Sequence, residues 1–313
     1  MFTAIFIFIV IFLVYLHWAE QYKTGDDLEI YEMDYTDNEE LQTVCKSKQP
    51  ITFEFSSILS KFHFLNTISL EDLADKYGKM DIYIKDTDDY WTKDTPISPI
   101  PLSLETSLKL ISTDTHSHYI SEENHELIND TALEKYYDSL HEFIKPSFTI
   151  HKQFDLYYGS RGSATPLRYN TEYSHFIYIP KGKIRVKMTP HKSKKYLHHI
   201  KDYYSYEFYS PINIWNCQPE YTNDFERIQF LDFDVHQGHF LFIPPYWWYS
   251  IKYEDEGTFL YSLKYNTIMN VVANTHNISQ YLYHQYTTKT KPAKLLKINE
   301  REQKTEEINV PII

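Results

Sequence analysis

Gly238-His239-Phe240-Leu241-Phe242-Ile243-Pro244-Pro245-Tyr246-Trp247-Trp248-Tyr249 is the stretch on which the fold turns. Residues 240–243 form a short apolar run closed by two prolines. Proline cannot donate to a sheet ladder, so the run reads as a strand with a stop behind it. Two further strands are predicted at 249–253 and 258–265, with Gly257 between them. Upstream, Ile184, Val186 and Met188 alternate with Arg185 and Lys187, which is the period of a half-buried strand. Residues 154–158 and 175–179 supply two more candidates. Short strands punctuated by Gly or Pro predict a mainly β sandwich or barrel.

Ahead of residue 147 the spacing is helical. Ser69 with Asp72 three residues later makes a capping-box pattern, Leu70, Leu73 and Ala74 give an apolar face, and Gly78 offers a stop before a strand at 80–84. Leu133, Tyr136, Tyr137, Leu140, Phe143 and Ile144 mark a second amphipathic helix that Pro146 ends. Residues 270–286 read as a closing helix. The expected organisation is an anchor at 1–19, an acidic linker at 20–40 that lifts the domain off the membrane, one folded domain at 41–288 and a polar tail at 289–313. Lys289, Lys291, Lys294 and Lys297 in that tail read as solvated.

Between Met1 and Trp18 there is no charged side chain, and the run from Ile5 to Leu16 is apolar and aromatic throughout. That is about the minimum for a bilayer core of roughly 30 Å. A cleaved signal peptide is the competitor. No basic residue precedes the run and no small-x-small site follows it, so an uncleaved membrane contact through residues 2–18 is expected. A net charge of −12 and a pI near 5.7 speak against nucleic acid as a partner, because phosphate binding needs a basic face. The 29 tyrosines and 19 phenylalanines against 7 glycines suit strands rather than disorder. Cys45 and Cys217 are too few for a disulfide framework and not spaced as zinc ligands.

The motif that carries most information is Gly159-Ser160-Arg161-Gly162-Ser163-Ala164-Thr165-Pro166-Leu167-Arg168-Tyr169-Asn170. It resembles the JmjC and factor-inhibiting-HIF-like branch of the cupin superfamily, which usually reads Thr-Pro-x-His-x-Asp here. Lys181-Gly182-Lys183-Ile184-Arg185, running on to Pro190, is similar to the family's Gly-x-Lys-Arg strand. The stretch from Gly238 to Tyr249 is similar to its Gly-Asp-x-Leu-x-Ile-Pro-x-x-Trp-Trp-His. The resemblance implies a double-stranded β-helix, a jelly-roll barrel with helices on its N-terminal side. In active members two ligands at i and i+2 on one strand and a distant histidine hold Fe(II), because residues two apart point to one face and a facial triad leaves positions open for 2-oxoglutarate and oxygen.

Here those three positions hold Arg168, Asn170 and Tyr249. Arginine has no acceptor to offer a metal, asparagine lacks the anionic charge, and a phenol with a reference pKa of about 10 is a poor ligand at neutral pH. Neither iron nor 2-oxoglutarate is expected as a cofactor. The family lysine that pairs with 2-oxoglutarate corresponds to Ile184, while Thr165 matches the family threonine and Lys264 falls where asparagine is common. Lys183 and Arg185 should turn away from the interior. The expectation is a membrane-anchored, non-catalytic binding or structural module. An active hydroxylase or demethylase with a displaced metal site is the enzymatic alternative. A structural membrane protein of a virion is suggested by the abundance of Lys, Ile, Asn and Tyr together with an anchor. His116 and His118, His198 and His199, and His236 and His239 read as polar loop residues, and Trp247 and Trp248 as core. A buried Arg168 needs an anion opposite it. That is either an internal carboxylate or a small carboxylate ligand held with Thr165, Asn170, Tyr249 and Lys264.

Overall fold

The computed structural model describes residues 2–55, 69–92 and 97–287. Its first element, α1 (Phe2–Glu20), is apolar along its length, and no residue of the window from Thr3 to Glu20 is buried. It is long and apolar enough to cross a membrane, a test that a signal sequence also passes.

The strands, in chain order, are β1 (Tyr31–Asp34), β2 (Ile51–Glu54), β3 (Asp81–Asp86), β4 (Ile100–Ser103), β5 (Tyr119–Ser121), β6 (Thr149–Gly159), β7 (Arg168–Tyr169), β8 (Ser174–Lys181), β9 (Lys183–Thr189), β10 (Ile200–Asp202), β11 (Glu207–Tyr209), β12 (Leu231–His236), β13 (His239–Ile243), β14 (Trp248–Tyr253) and β15 (Phe259–Thr267). Among the described residues they make two sheets, ordered β1-β2-β13-β8-β15-β6-β5-β3-β4 and β10-β11-β7-β14-β9-β12. From β6 onward the chain repeatedly changes sheet: β6, β8, β13 and β15 lie in the large one, and β7, β9, β12 and β14 in the small one.

The central strands β13, β8 and β15 of the large sheet are buried on both faces, and strand alternation divides their side chains. Phe176, Tyr178, Phe240 and Phe242 join the helices in one core, while Ile177, Ile179, Leu241 and Ile243 meet Ile184, Val186, Met188 and Ile251 of the small sheet in another. This is why 240–243 carries no polar residue. At β9 and β12 the small sheet is wet on its outer face: Ile184, Val186 and Met188 point inward, and Arg185 pairs across the strands with Asp232 at 2.6 Å. Lys183 likewise reaches Asp234 at 3.2 Å. Both cations face outward as alternation requires.

Helices cover the outer face of the large sheet: α2 (Asn38–Cys45), α3 (Leu70–Tyr77), α4 (Leu104–Thr113), α5 (His125–Asn129) and α6 (Glu134–Ile144). The capping box at α3 is formed, Ser69 and Asp72 satisfying each other's backbone N–H. Residues 190–230 carry α7 (Thr222–Phe225) and close a third core over the outside of the small sheet, in which Trp248 meets Tyr169 and Phe208. Trp247 faces the other way and donates its indole N–H to the Lys48 carbonyl at 3.0 Å.

Two expectations need correction. The 20–40 segment is not a spacer: Gln21 is buried, the Gly25 amide donates to the Lys48 carbonyl at 3.2 Å, and β1 pairs in parallel with β2. Its acidic residues alternate with Met33 and Tyr35, whose side chains pack on the core while Glu32 and Asp34 face solvent. The closing helix is two, α8 (Ile268–Ala273) and α9 (Thr275–Thr287), broken at Asn274. The Asn274 side chain accepts from the Tyr246 hydroxyl at 3.2 Å and donates to the Thr171 carbonyl at 3.3 Å. The polar tail at 289–313 lies outside the described residues.

Candidate functional site

Arg168 sits on β7, a two-residue strand held between β11 and β14, where it lies in register with Tyr209 on one side and Tyr249 on the other. Asn170, just beyond, donates its side-chain amide to the Tyr249 hydroxyl at 3.1 Å. The sheet therefore brings together the three residues that the sequence singled out. Arg168 also places its guanidinium 5.6 Å from the centre of the Tyr249 ring, within reach of a cation–π attraction.

The same Asn170 amide reaches Nδ1 of His175 at 2.9 Å, and His175 Nε2 meets the Ser262 hydroxyl at 2.9 Å. The asparagine nitrogen can only donate, so Nδ1 accepts and the proton resides on Nε2. Burial, reinforced by Lys264 and Arg168, pushes the His175 imidazole well below its ordinary range. It is a neutral ring with both nitrogens engaged.

Arg168 is buried at 5% exposure, and its two terminal nitrogens bind both oxygens of Glu122 at 2.5 Å, a fork-on-fork pair. Glu122 follows β5, which the large sheet carries to this point. Glu207, the first residue of β11, lies 3.5 Å from Arg168 and 2.8 Å from the Lys85 amine, and it accepts from the Tyr90 hydroxyl at 3.0 Å. Lys85 also reaches Glu123 at 2.7 Å and Glu122 at 3.4 Å. Two buried cations thus face two buried carboxylates, with Glu123 at the margin.

Burial alone would raise the Glu122 carboxyl, but Arg168 and Lys85 outweigh it and hold it down at about 2. Glu207 moves the other way: burial, with Glu122 and Glu123 nearby, raises it despite Lys85. Lys85 loses from burial and gains more from Glu123 and Glu207, so its amine is held well above the ordinary lysine range.

The space left is small. A cavity of about 30 Å³ is lined by Arg168, Asn170, Glu207 and Lys264 among others, room for about one or two waters. Thr165 and Tyr249 do not line it. The Thr165 hydroxyl instead accepts from the Ile251 amide at 2.9 Å, and its own amide donates to the Ile251 carbonyl at 2.8 Å. Lys264, with Glu172 at 3.9 Å, also lines a wider cleft of about 770 Å³ beyond.

Iron does not fit these residues. Arg168 has no lone pair to give and its two terminal nitrogens are already engaged by Glu122, and both nitrogens of the neighbouring imidazole are hydrogen-bonded. The place that a 2-oxoglutarate lysine would take holds Ile184, fully buried in the core between the sheets. Among the described residues Asp86, Asp88 and His118 bring ligand-type atoms within 4.8 Å of one another. Asp86 there caps the Asp88 amide at 3.1 Å, and His118 faces Asp88 at 3.4 Å.

No protein-family model matches the chain, and no curated protein is significantly similar to it.

Sequence reasoning asked for an anion opposite Arg168 and did not name Glu122, Glu207, Lys85, Tyr90 or His175. The available signal was weak: Lys85 follows Ile82-Tyr83-Ile84, and Glu207 precedes Phe208-Tyr209, charges inside strand-like runs.

Proposed function

We propose that this chain is a membrane-anchored, non-catalytic JmjC-like cupin protein whose domain serves as a binding or structural module. Two features support a double-stranded β-helix. The eight strands from β6 to β9 and β12 to β15 divide evenly between the two sheets, as the two Greek keys of a jelly roll require. The register sets Arg168 beside Tyr249, so the three motif positions converge as the ligands of the family would. Support for the anchor is α1, about 28 Å long at 1.5 Å per residue, with no residue of its apolar window buried.

The observation that carries the non-catalytic reading is the Arg168–Glu122 fork. It puts a fixed positive charge, already neutralised by protein, where a metal would need an unoccupied donor. The buried charges then act as structure, tying β3, β5, β7 and β11 to one another. Purified full-length protein should retain no stoichiometric iron after anaerobic loading with Fe(II). Its melting temperature should be unmoved by 2-oxoglutarate, succinate or citrate, whereas an acid at 100 times its Kd would add about 2.7 kcal/mol. One iron held per chain, or a melt shifted by one of these acids, contradicts the reading.

A further inference from the structure

The end of α1 is tied to the folded part with almost no free chain between them. Tyr22, two residues past Glu20, donates its hydroxyl to the Ala273 carbonyl of α8, and its ring stacks on Tyr246 with centroids 6.2 Å apart. Tyr15, Trp18 and Tyr22 form a ladder of ring contacts up the last turns, the aromatic band expected at a membrane–water boundary. Because α1 spans only about the thickness of the hydrocarbon core, whatever touches Tyr22 stands at the bilayer surface.

Two kinds of surface lie there. On one side Tyr246 leads to His191, whose Nδ1 lies 3.1 Å from the Tyr246 carbonyl, and Lys192 donates to the Asp26 carbonyl at 2.8 Å. These begin a basic turn that continues through Lys194, Lys195, His198, His199 and Lys201. Lys183 and Arg185 have carboxylate partners, but Lys194, Lys195 and Lys201 meet none among the described residues, and Lys195 and Lys201 lie over tyrosine rings instead. Burial and then the charge of Lys201 push the Lys194 amine down, and His199 is lowered by burial, Lys194 and Lys201. His198 faces Asp224 at 2.7 Å, but in a chain of net charge −12 the three lysines are a concentration of positive charge without a carboxylate partner among the described residues. Ile200 stands exposed in its midst.

On the other side Phe148 is 80% exposed, and Ile268 and Val272 of α8 are about half exposed. Phe148 and Ile268 line the same cleft as His17 and Gln21 at the end of α1. Large apolar side chains laid open beside a spanning helix have the bilayer as their nearest cover.

We propose that this face of the domain lies on the membrane, with Phe148, Ile268 and Val272 entering the interfacial layer and Lys194, Lys195 and Lys201 contacting the phosphates of anionic lipids. The inference rests on reading α1 as a membrane span. The attraction of the lysines to an anionic surface is lost to salt, while the apolar part is not.

The test uses the full chain in vesicles, with Cys217→Ser leaving only the buried Cys45. An environment-sensitive thiol probe is placed at Phe12→Cys, Phe148→Cys, Ile200→Cys or Tyr83→Cys, the last near the far edge of the large sheet. Lipid-borne quenchers should reach Phe12→Cys and Phe148→Cys in phosphatidylcholine vesicles with or without phosphatidylserine. They should reach Ile200→Cys only when phosphatidylserine is present, and Tyr83→Cys in neither. At about 1 M salt, where the screening length is roughly 3 Å, Ile200→Cys should lose its quenching and Phe148→Cys should keep it. Lys194→Glu with Lys195→Glu and Lys201→Glu should also abolish it. If Phe12→Cys is quenched while Phe148→Cys and Ile200→Cys behave like Tyr83→Cys, the docking fails and the anchor stands. An unquenched Phe12→Cys removes the anchor itself. A blue-shifted probe at Phe148→Cys that lipid cannot quench assigns that face to a protein contact and overturns the proposal.

Discussion

Arg168 is the side chain with most at stake, because it is buried and its charge is cancelled by one partner at close range. Pairing two buried ions only roughly repays their desolvation, but removing one leaves the other stranded. Arg168→Ala should therefore cost roughly 3–5 kcal/mol, read from urea unfolding. Arg168→Met combined with Glu122→Leu should recover most of that loss, since a well-packed apolar replacement of a buried pair is often neutral or better. A double variant as unstable as the single one would mean that the cluster is needed for more than its own neutralisation. The need for an anion was legible in the sequence from the arginine alone. Its identity was not, because Glu122 lies 46 residues away and Glu207 39 residues away in the other direction. Nothing local marks them as neighbours, and only the pairing of β7 with β11 brings Glu207 in.

At the scale of elements, the turn between β8 and β9 is the most demanding. Gly182 has φ of +86°, and a Cβ there would run into the Thr258 hydroxyl. Gly182→Ala should destabilise by about 2 kcal/mol or more, since left-handed backbone alone costs an L-residue roughly 1–2 kcal/mol. A melt equal to wild type would show that the turn relaxes at no cost. Most of the sheet could be read from alternation: β9, β13, β14 and β15 lie close to where the sequence placed them, because each has a core on at least one face. β1 escaped notice because four residues with two acids in them look like a linker until β2 is set beside them. β10 and β11, three residues each, are too short for any period to show. The break between α8 and α9 depends on Asn274 bonding to Thr171 and Tyr246, partners far away in the chain.

For the molecule as a whole, the buried charges make stability depend on acid. Glu122 is held at about 2 against an ordinary 4.5. A carboxyl depressed on folding gives stability that is fully present above 4.5 and is lost as pH falls through about 2. Comparing wild type with Glu122→Gln isolates it: the difference in unfolding free energy, on the order of 3 kcal/mol near pH 5, should shrink steadily toward pH 2. A difference that is flat over this range would mean that Glu122 is not ionised by its partners. Read as a membrane span, α1 has a consequence at this same scale. With Gln21 buried, Tyr22 bound to Ala273, Gly25 to Lys48 and Asp26 to Lys192, the chain between α1 and the domain is used up in contacts. A head on a flexible leash sweeps a hemisphere and meets its partners from any side; this one cannot. If α1 spans a membrane and turns about its long axis, the whole domain turns with it like a key on its shank, and a neighbour in the plane of the bilayer would meet it from a compass bearing set by the rotation of a single helix.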